Sequence, residues 1–69
     1  MKKLYKVTLE EYMAEQIMLS TEADGNCQSL VDKLAEVTPV IPSDCDEVTV
    51  NLTADELYEC FKQYRYVRF

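Results

Sequence analysis

Three residues punctuate this chain, and they fall at only two places. Gly25 is the one glycine, within ADGN (23–26), and Pro39 and Pro42 are the two prolines, within TPVIPSDCD (38–46). Glycine and proline are the strongest local terminators of helices and strands. The chain therefore divides into three stretches expected to be regular, with no linker and no low-complexity segment. Its 69 residues make one compact domain, 1–69. A domain of this size buries only about 60% of its unfolded-chain surface, so its stability is expected to be marginal.

Periodicity assigns the stretches. Lys3–Thr8 alternates, with Tyr5 and Val7 on one face, and predicts a strand. Residues 9–21 predict a helix, because Leu9, Tyr12, Met13 and Ile17 recur at three-to-four spacing. The competing reading makes Gln16–Thr21 a strand with Ile17 and Leu19 inward, but the turn it needs would fall in EEYMAE, which holds no turn-forming residue. A second helix over 27–37 has Leu30, Val31 and Leu34 inward and Asp24 or Asn26 as its cap. EVTVNL (47–52) is β-branched and alternating, a strand. A third helix over 54–63 is expected to bury Leu57, Cys60 and Phe61. The tail 64–69 alternates again and predicts a closing strand.

Two strand-to-helix junctions share a pattern. Thr8…Glu11 and Thr53…Glu56 each match a capping box, in which the hydroxyl caps a first-turn N–H and the glutamate reaches back to the cap N–H. The predicted fold class is α+β. A small antiparallel sheet of three, possibly four, strands packs against two or three short helices in the order β-α-α-β-α-β.

Charge is distributed by position. Every basic residue except Lys33 lies at an end of the chain: Lys2, Lys3 and Lys6 at one, Lys62, Arg65 and Arg68 at the other. All thirteen acids lie between Val7 and Phe61, and the net charge is −6. Single-sign regions of this kind bear on association more than on fold. Glu10, Glu11, Asp55 and Glu56 fall in first helical turns, where they favour the helix dipole. The carboxylates at Glu11, Glu15, Glu22, Asp44, Asp46, Glu47, Asp55 and Glu59 are the candidate partner-binding surface. Glu11/Glu15 and Asp55/Glu59 are like-charged pairs four apart, which cost a helix a few tenths of a kcal/mol and hint at use. In the tail, Tyr64, Tyr66, Arg68 and Phe69 are candidates for self-association through a strand edge.

Chemistry is sparsely provided. The chain has no histidine, so the commonest general base and zinc ligand are missing. Its three cysteines, Cys27, Cys45 and Cys60, lack the close spacing of a zinc site or disulfide framework. Cys27, at a helix start, is the candidate for a lowered pKa. A single glycine excludes a Gly-rich phosphate loop. SDCDE (43–47) reads as a turn rather than an ion site. No enzyme, metal or cofactor is expected. The lysine-rich start is broken at Lys6 and Thr8 before any apolar run, unlike a secretory signal. The expected location is the cytoplasm, or the host cytoplasm if the protein is viral, with reduced thiols.

The function expected from these features is a small acidic protein-binding module. It would be an inhibitor or regulator engaging a basic, nucleic-acid-binding site on a partner protein. In size and charge style it resembles viral inhibitors that mimic DNA, such as anti-restriction and anti-CRISPR proteins. The alternative is a structural or regulatory module that associates through its C-terminal strand, with a homodimer as one outcome. Direct nucleic-acid binding by the basic ends, through stacking and phosphate contacts, is the weakest reading, because the rest of the chain would repel phosphates.

Overall fold

The computed structural model describes residues 3–67. The order is β1 (Tyr5–Glu10), α1 (Glu11–Asp24), α2 (Gln28–Val37), β2 (Glu47–Leu52) and α3 (Ala54–Val67). β1 and β2 form a two-stranded antiparallel sheet. The register pairs Tyr5 with Leu52, Val7 with Val50, Leu9 with Val48 and Glu10 with Glu47. Alternation then gives the sheet one apolar face against the helices and one polar face carrying Lys6, Thr8, Thr49 and Asn51.

The core is Ala14 and Ile17 of α1, Leu30 and Leu34 of α2, Val50 and Leu52 of β2 and Cys60 of α3. Each fully buried Leu or Ile contributes about 1.5–3 kcal/mol. The inward face of α2, Leu30, Val31 and Leu34, is the one expected. α2 is preceded by Cys27, which makes no side-chain cap bond, so neither Asp24 nor Asn26 caps it. α1 is helical through Asp24, which removes the strand reading of Gln16–Thr21. It stops at Gly25, whose φ of 71° is left-handed and whose N–H returns to the Thr21 carbonyl at 2.9 Å. An L side chain is strained in that conformation, and glycine is not.

Two expectations are corrected. The sheet has neither a third nor a fourth strand among the described residues, and the order is β-α-α-β-α. The tail continues α3 through Val67 instead of forming a closing strand. The physical reason is that nothing stops the helix at residue 63. Lys62, Gln63 and Arg65 are good helix formers, and no glycine or proline intervenes. Helical phase also places Cys60, Gln63 and Val67 along one side, and that phase satisfies the core. Tyr64 and Tyr66 alternate with Arg65 and Val67 whether the segment is a strand or a helix, so alternation there carried no information. Self-association by a C-terminal strand loses its strand at Tyr64 and Tyr66; Arg68 and Phe69 lie outside the described residues. Among the basic residues, Lys6 is on β1, whereas Lys62 and Arg65 are on α3.

Helical phase turns Phe61 outward, to 57% exposure, where burial was expected. The inward positions of α3 belong to Glu56, Glu59, Cys60 and Gln63. The two predicted capping boxes also part ways. At α3 the box forms: the Thr53 N–H donates to Glu56 Oε1 at 2.8 Å, and the Glu56 N–H to Thr53 Oγ1 at 3.4 Å. At α1 it does not form, because β1 runs two residues further than expected. Thr8 stays in the ladder, its hydroxyl 3.3 Å from that of Thr49. Glu10 becomes the N-cap, with no side-chain cap bond.

Candidate protein-binding surface

The register that ends the sheet also assembles its most acidic region. Glu10 and Glu47 face each other as the last cross-strand pair. Like charges directly opposite are destabilising, by up to about 1 kcal/mol. The chain leaving Glu10 becomes α1, and the loop entering Glu47 folds against that helix start. The Glu11 N–H donates to the Asp46 carbonyl at 3.0 Å, and the Tyr12 N–H to the Ser43 carbonyl at 3.1 Å. In return the Ser43 N–H donates to Glu11 Oε1 at 3.0 Å. The Cys45 N–H donates to Ser43 Oγ at 3.0 Å, so the serine hydroxyl bonds the local backbone of the turn.

These bonds bring Glu10, Glu11, Asp44, Asp46 and Glu47 to one end of the molecule. All but the half-buried Glu11 are exposed. The N-terminus of α1 offers these carboxylates partial positive charge, worth about 0.3–1 kcal/mol for one in its first turn. No cation joins them: the one ion pair among the described residues is Lys33 Nζ with Glu56 Oε1, at 2.6 Å. Among the described residues no group of His, Cys, Asp and Glu is placed to hold a metal ion.

The other predicted carboxylates fall elsewhere. Glu15 follows Glu11 by one turn and is half-buried. Glu22 is exposed near the far end of α1, and Asp55 is exposed in the first turn of α3, beyond the opposite end of β2. Glu59 is not at the surface. It is buried and accepts from Gln63 Nε2 at 2.6 Å. The same amide nitrogen donates to Asp24 at 2.9 Å, and the Ser20 hydroxyl donates to Gln63 Oε1.

Glu56 is a structural acid as well. Burial acts to raise its pKa, but the Lys33 ammonium, Ser29 and the Thr53 N–H favour the carboxylate and hold it at about 2. Lys33 is the lone base within the acidic span, and that isolation was the available signal for a paired role. Burial pushes the Cys60 thiol up to about 11, as expected of an inert core cysteine. Cys27 is half-buried, its Sγ 3.7 Å from Ser29 Oγ.

Two features of the surface escaped sequence reasoning. Glu10 joins the cluster only because β1 reaches it. Val40 and Ile41 stand 96% and 87% exposed on the same loop that carries Asp44 and Asp46. Pro39 and Pro42 flank them, and fixed proline φ angles limit how much that tip can reorganise. Two adjacent β-branched residues so fully exposed form an apolar tip beside the carboxylates.

Comparison with protein-family models, with curated proteins and with solved structures finds no match to this chain. Among the described residues no helix is long and apolar enough to cross a membrane.

Proposed function

We propose that the chain is a small non-enzymatic binding module whose acidic sheet end engages a basic site on a partner protein, as an inhibitor or regulator in the cytoplasm. The observation that carries this reading is the gathering of Glu10, Glu11, Asp44, Asp46 and Glu47 with no cation paired to them among the described residues. Glu11 has a structural bond to the Ser43 N–H, but the Glu10–Glu47 pairing opposes folding. A basic partner would remove that repulsion on binding. A cluster of neighbouring carboxylates presents closely spaced negative charge, as a nucleic-acid strand does with roughly one charge per 3.4 Å. A site that normally holds phosphates is therefore the partner chemistry that fits, and the Val40–Ile41 tip supplies an apolar anchor beside the charges.

Capture from the source organism's lysate tests the reading. At about 50 mM salt the protein should retain nucleic-acid-binding proteins, and about 300 mM should release them, because exposed charge contacts are screened beyond a Debye length. The triple variant D44N/D46N/E47Q should weaken binding at least about tenfold. The control E22Q/E36Q should leave it unchanged. Capture that withstands salt, or that survives the triple variant, would count against the acidic cluster.

A further inference from the structure

Because α3 turns Glu56, Glu59, Cys60 and Gln63 inward, its outward stripe is the richer in aromatic surface. Ala54, Tyr58, Phe61 and Arg65 are all exposed and recur at steps of four, three and four, with Tyr58 at 73% and Phe61 at 57%. That is the spacing of a helix that packs along another helix. The strip widens past Phe61. Phe61 and Tyr64 line two adjoining clefts, one also bordered by Lys62 and Arg65, the other by Val7, Leu9 and Met13 beneath β1 and by Glu10 and Glu47 at the acidic sheet end. The half-covered β1 and the outward face of α3 thus form one exposed apolar surface, which in a chain this short calls for a cover.

The order of side chains along α3 says what covers it. Tyr58, flanked by Asp55, occupies the N-terminal half of the stripe, and Arg65, flanked by Lys62, the C-terminal half. Neither cation pairs with an acid among the described residues. A second α3 laid antiparallel, with the twofold axis between Phe61 and Lys62, sets Tyr58 of each copy against Arg65 of the other. A guanidinium over a tyrosine ring is favourable, and Asp55 lies one turn further along, within reach of the same group. Antiparallel helices also oppose their dipoles. A parallel arrangement would place cation against cation. We propose that this face is the twofold interface of a homodimer, self-complementary in the manner isologous contacts require. Glu10 and Glu47 border this face, but the pairing argued for it uses only side chains of α3; it replaces pairing through a C-terminal strand with pairing through a helix.

Sedimentation equilibrium of the full chain, from about 5 to about 500 μM, tests it. The expected mass rises from the 8.0 kDa of one chain towards twice that value. Phe61→Glu and Tyr58→Glu should each raise the dissociation constant at least about tenfold. Both side chains are more than half exposed, so the far-UV spectrum of each variant should match the wild type. Asp55→Arg and Arg65→Asp should each weaken the dimer several-fold, and the double variant should recover it. A mass of 8.0 kDa throughout would overturn the dimer. A dimer indifferent to both glutamate variants would overturn this interface, and a double variant as weak as the singles would overturn the antiparallel arrangement.

Discussion

Glu56→Ala is expected to destabilise the protein by about 3 kcal/mol, the largest effect of any single charge removal. The carboxylate does two jobs at once. It completes the capping box of α3, a role worth about 1 kcal/mol, and it pairs with Lys33 at 2.6 Å from a position only 4% exposed. Breaking a buried pair costs about 3–5 kcal/mol in general. Here the Lys33 side chain is 34% exposed and regains water, so the lower end applies. Glu56→Gln keeps a side chain able to cap and should cost about 2 kcal/mol. For a chain this short each kcal/mol moves the melting temperature by roughly 4–8 °C, so thermal melts resolve the two variants.

The same residue predicts a pH dependence. Its folded pKa of about 2 lies below the ordinary 4.5, so the folded state binds the proton more weakly than the unfolded chain does. Its contribution is complete above about pH 4.5 and is lost as pH falls towards 2. The stability gap between wild type and Glu56→Gln should therefore narrow across that window and be constant above it. A gap that stays constant down to pH 2 would show that the charge of Glu56 does not stabilise the fold.

Gln63→Leu is the second large effect, at about 2–3 kcal/mol. The residue is 1% exposed, and its amide donates to both Glu59 and Asp24. Leucine fills similar volume, so the loss is chiefly that of a donor to a buried carboxylate. Hydrogen bonds to charged groups are worth about 1.5–3 kcal/mol, and leaving one partner buried and unpaired costs more than removing both. The double variant Glu59→Leu/Gln63→Leu should accordingly be more stable than Gln63→Leu alone. Chemical denaturation of the pair of variants decides it, and a double variant less stable than the single would mean that Glu59 is satisfied in some other way.

These inward polar residues mark where sequence reasoning stopped short. β2 and the inner face of α2 were legible because apolar residues alone define their periods. Along α3 the inward phase is carried by Glu56, Glu59 and Gln63, which an apolar pattern does not register, and Phe61 was assigned to their side. The tail failed for a related reason, since the alternation of Tyr64–Val67 fits a strand as well as a helix. At the acidic end, Glu11, Asp44, Asp46 and Glu47 were visible as charges. Their convergence with Glu10 depended on the register of β1 against β2, and only pairing reveals that. Glu59 shows the converse: a carboxylate counted with the surface by spacing was drawn inside by a glutamine one turn away.

The proposed function requires that the carboxylates of Glu10, Glu47 and their neighbours be held together with no cation paired to them among the described residues. The melting temperature at pH 7 as a function of sodium chloride, for the wild type and for Glu10→Gln/Glu47→Gln, tests this most directly. Salt screens exposed repulsion over separations longer than the Debye length, which shrinks from roughly 10 Å at 0.1 M to about 3 Å at 1 M. The wild type should gain stability as salt rises, while the variant should start higher, by about 0.5 kcal/mol, and respond less. A wild type that is flat or loses stability with salt, or a variant less stable than the wild type, would contradict it.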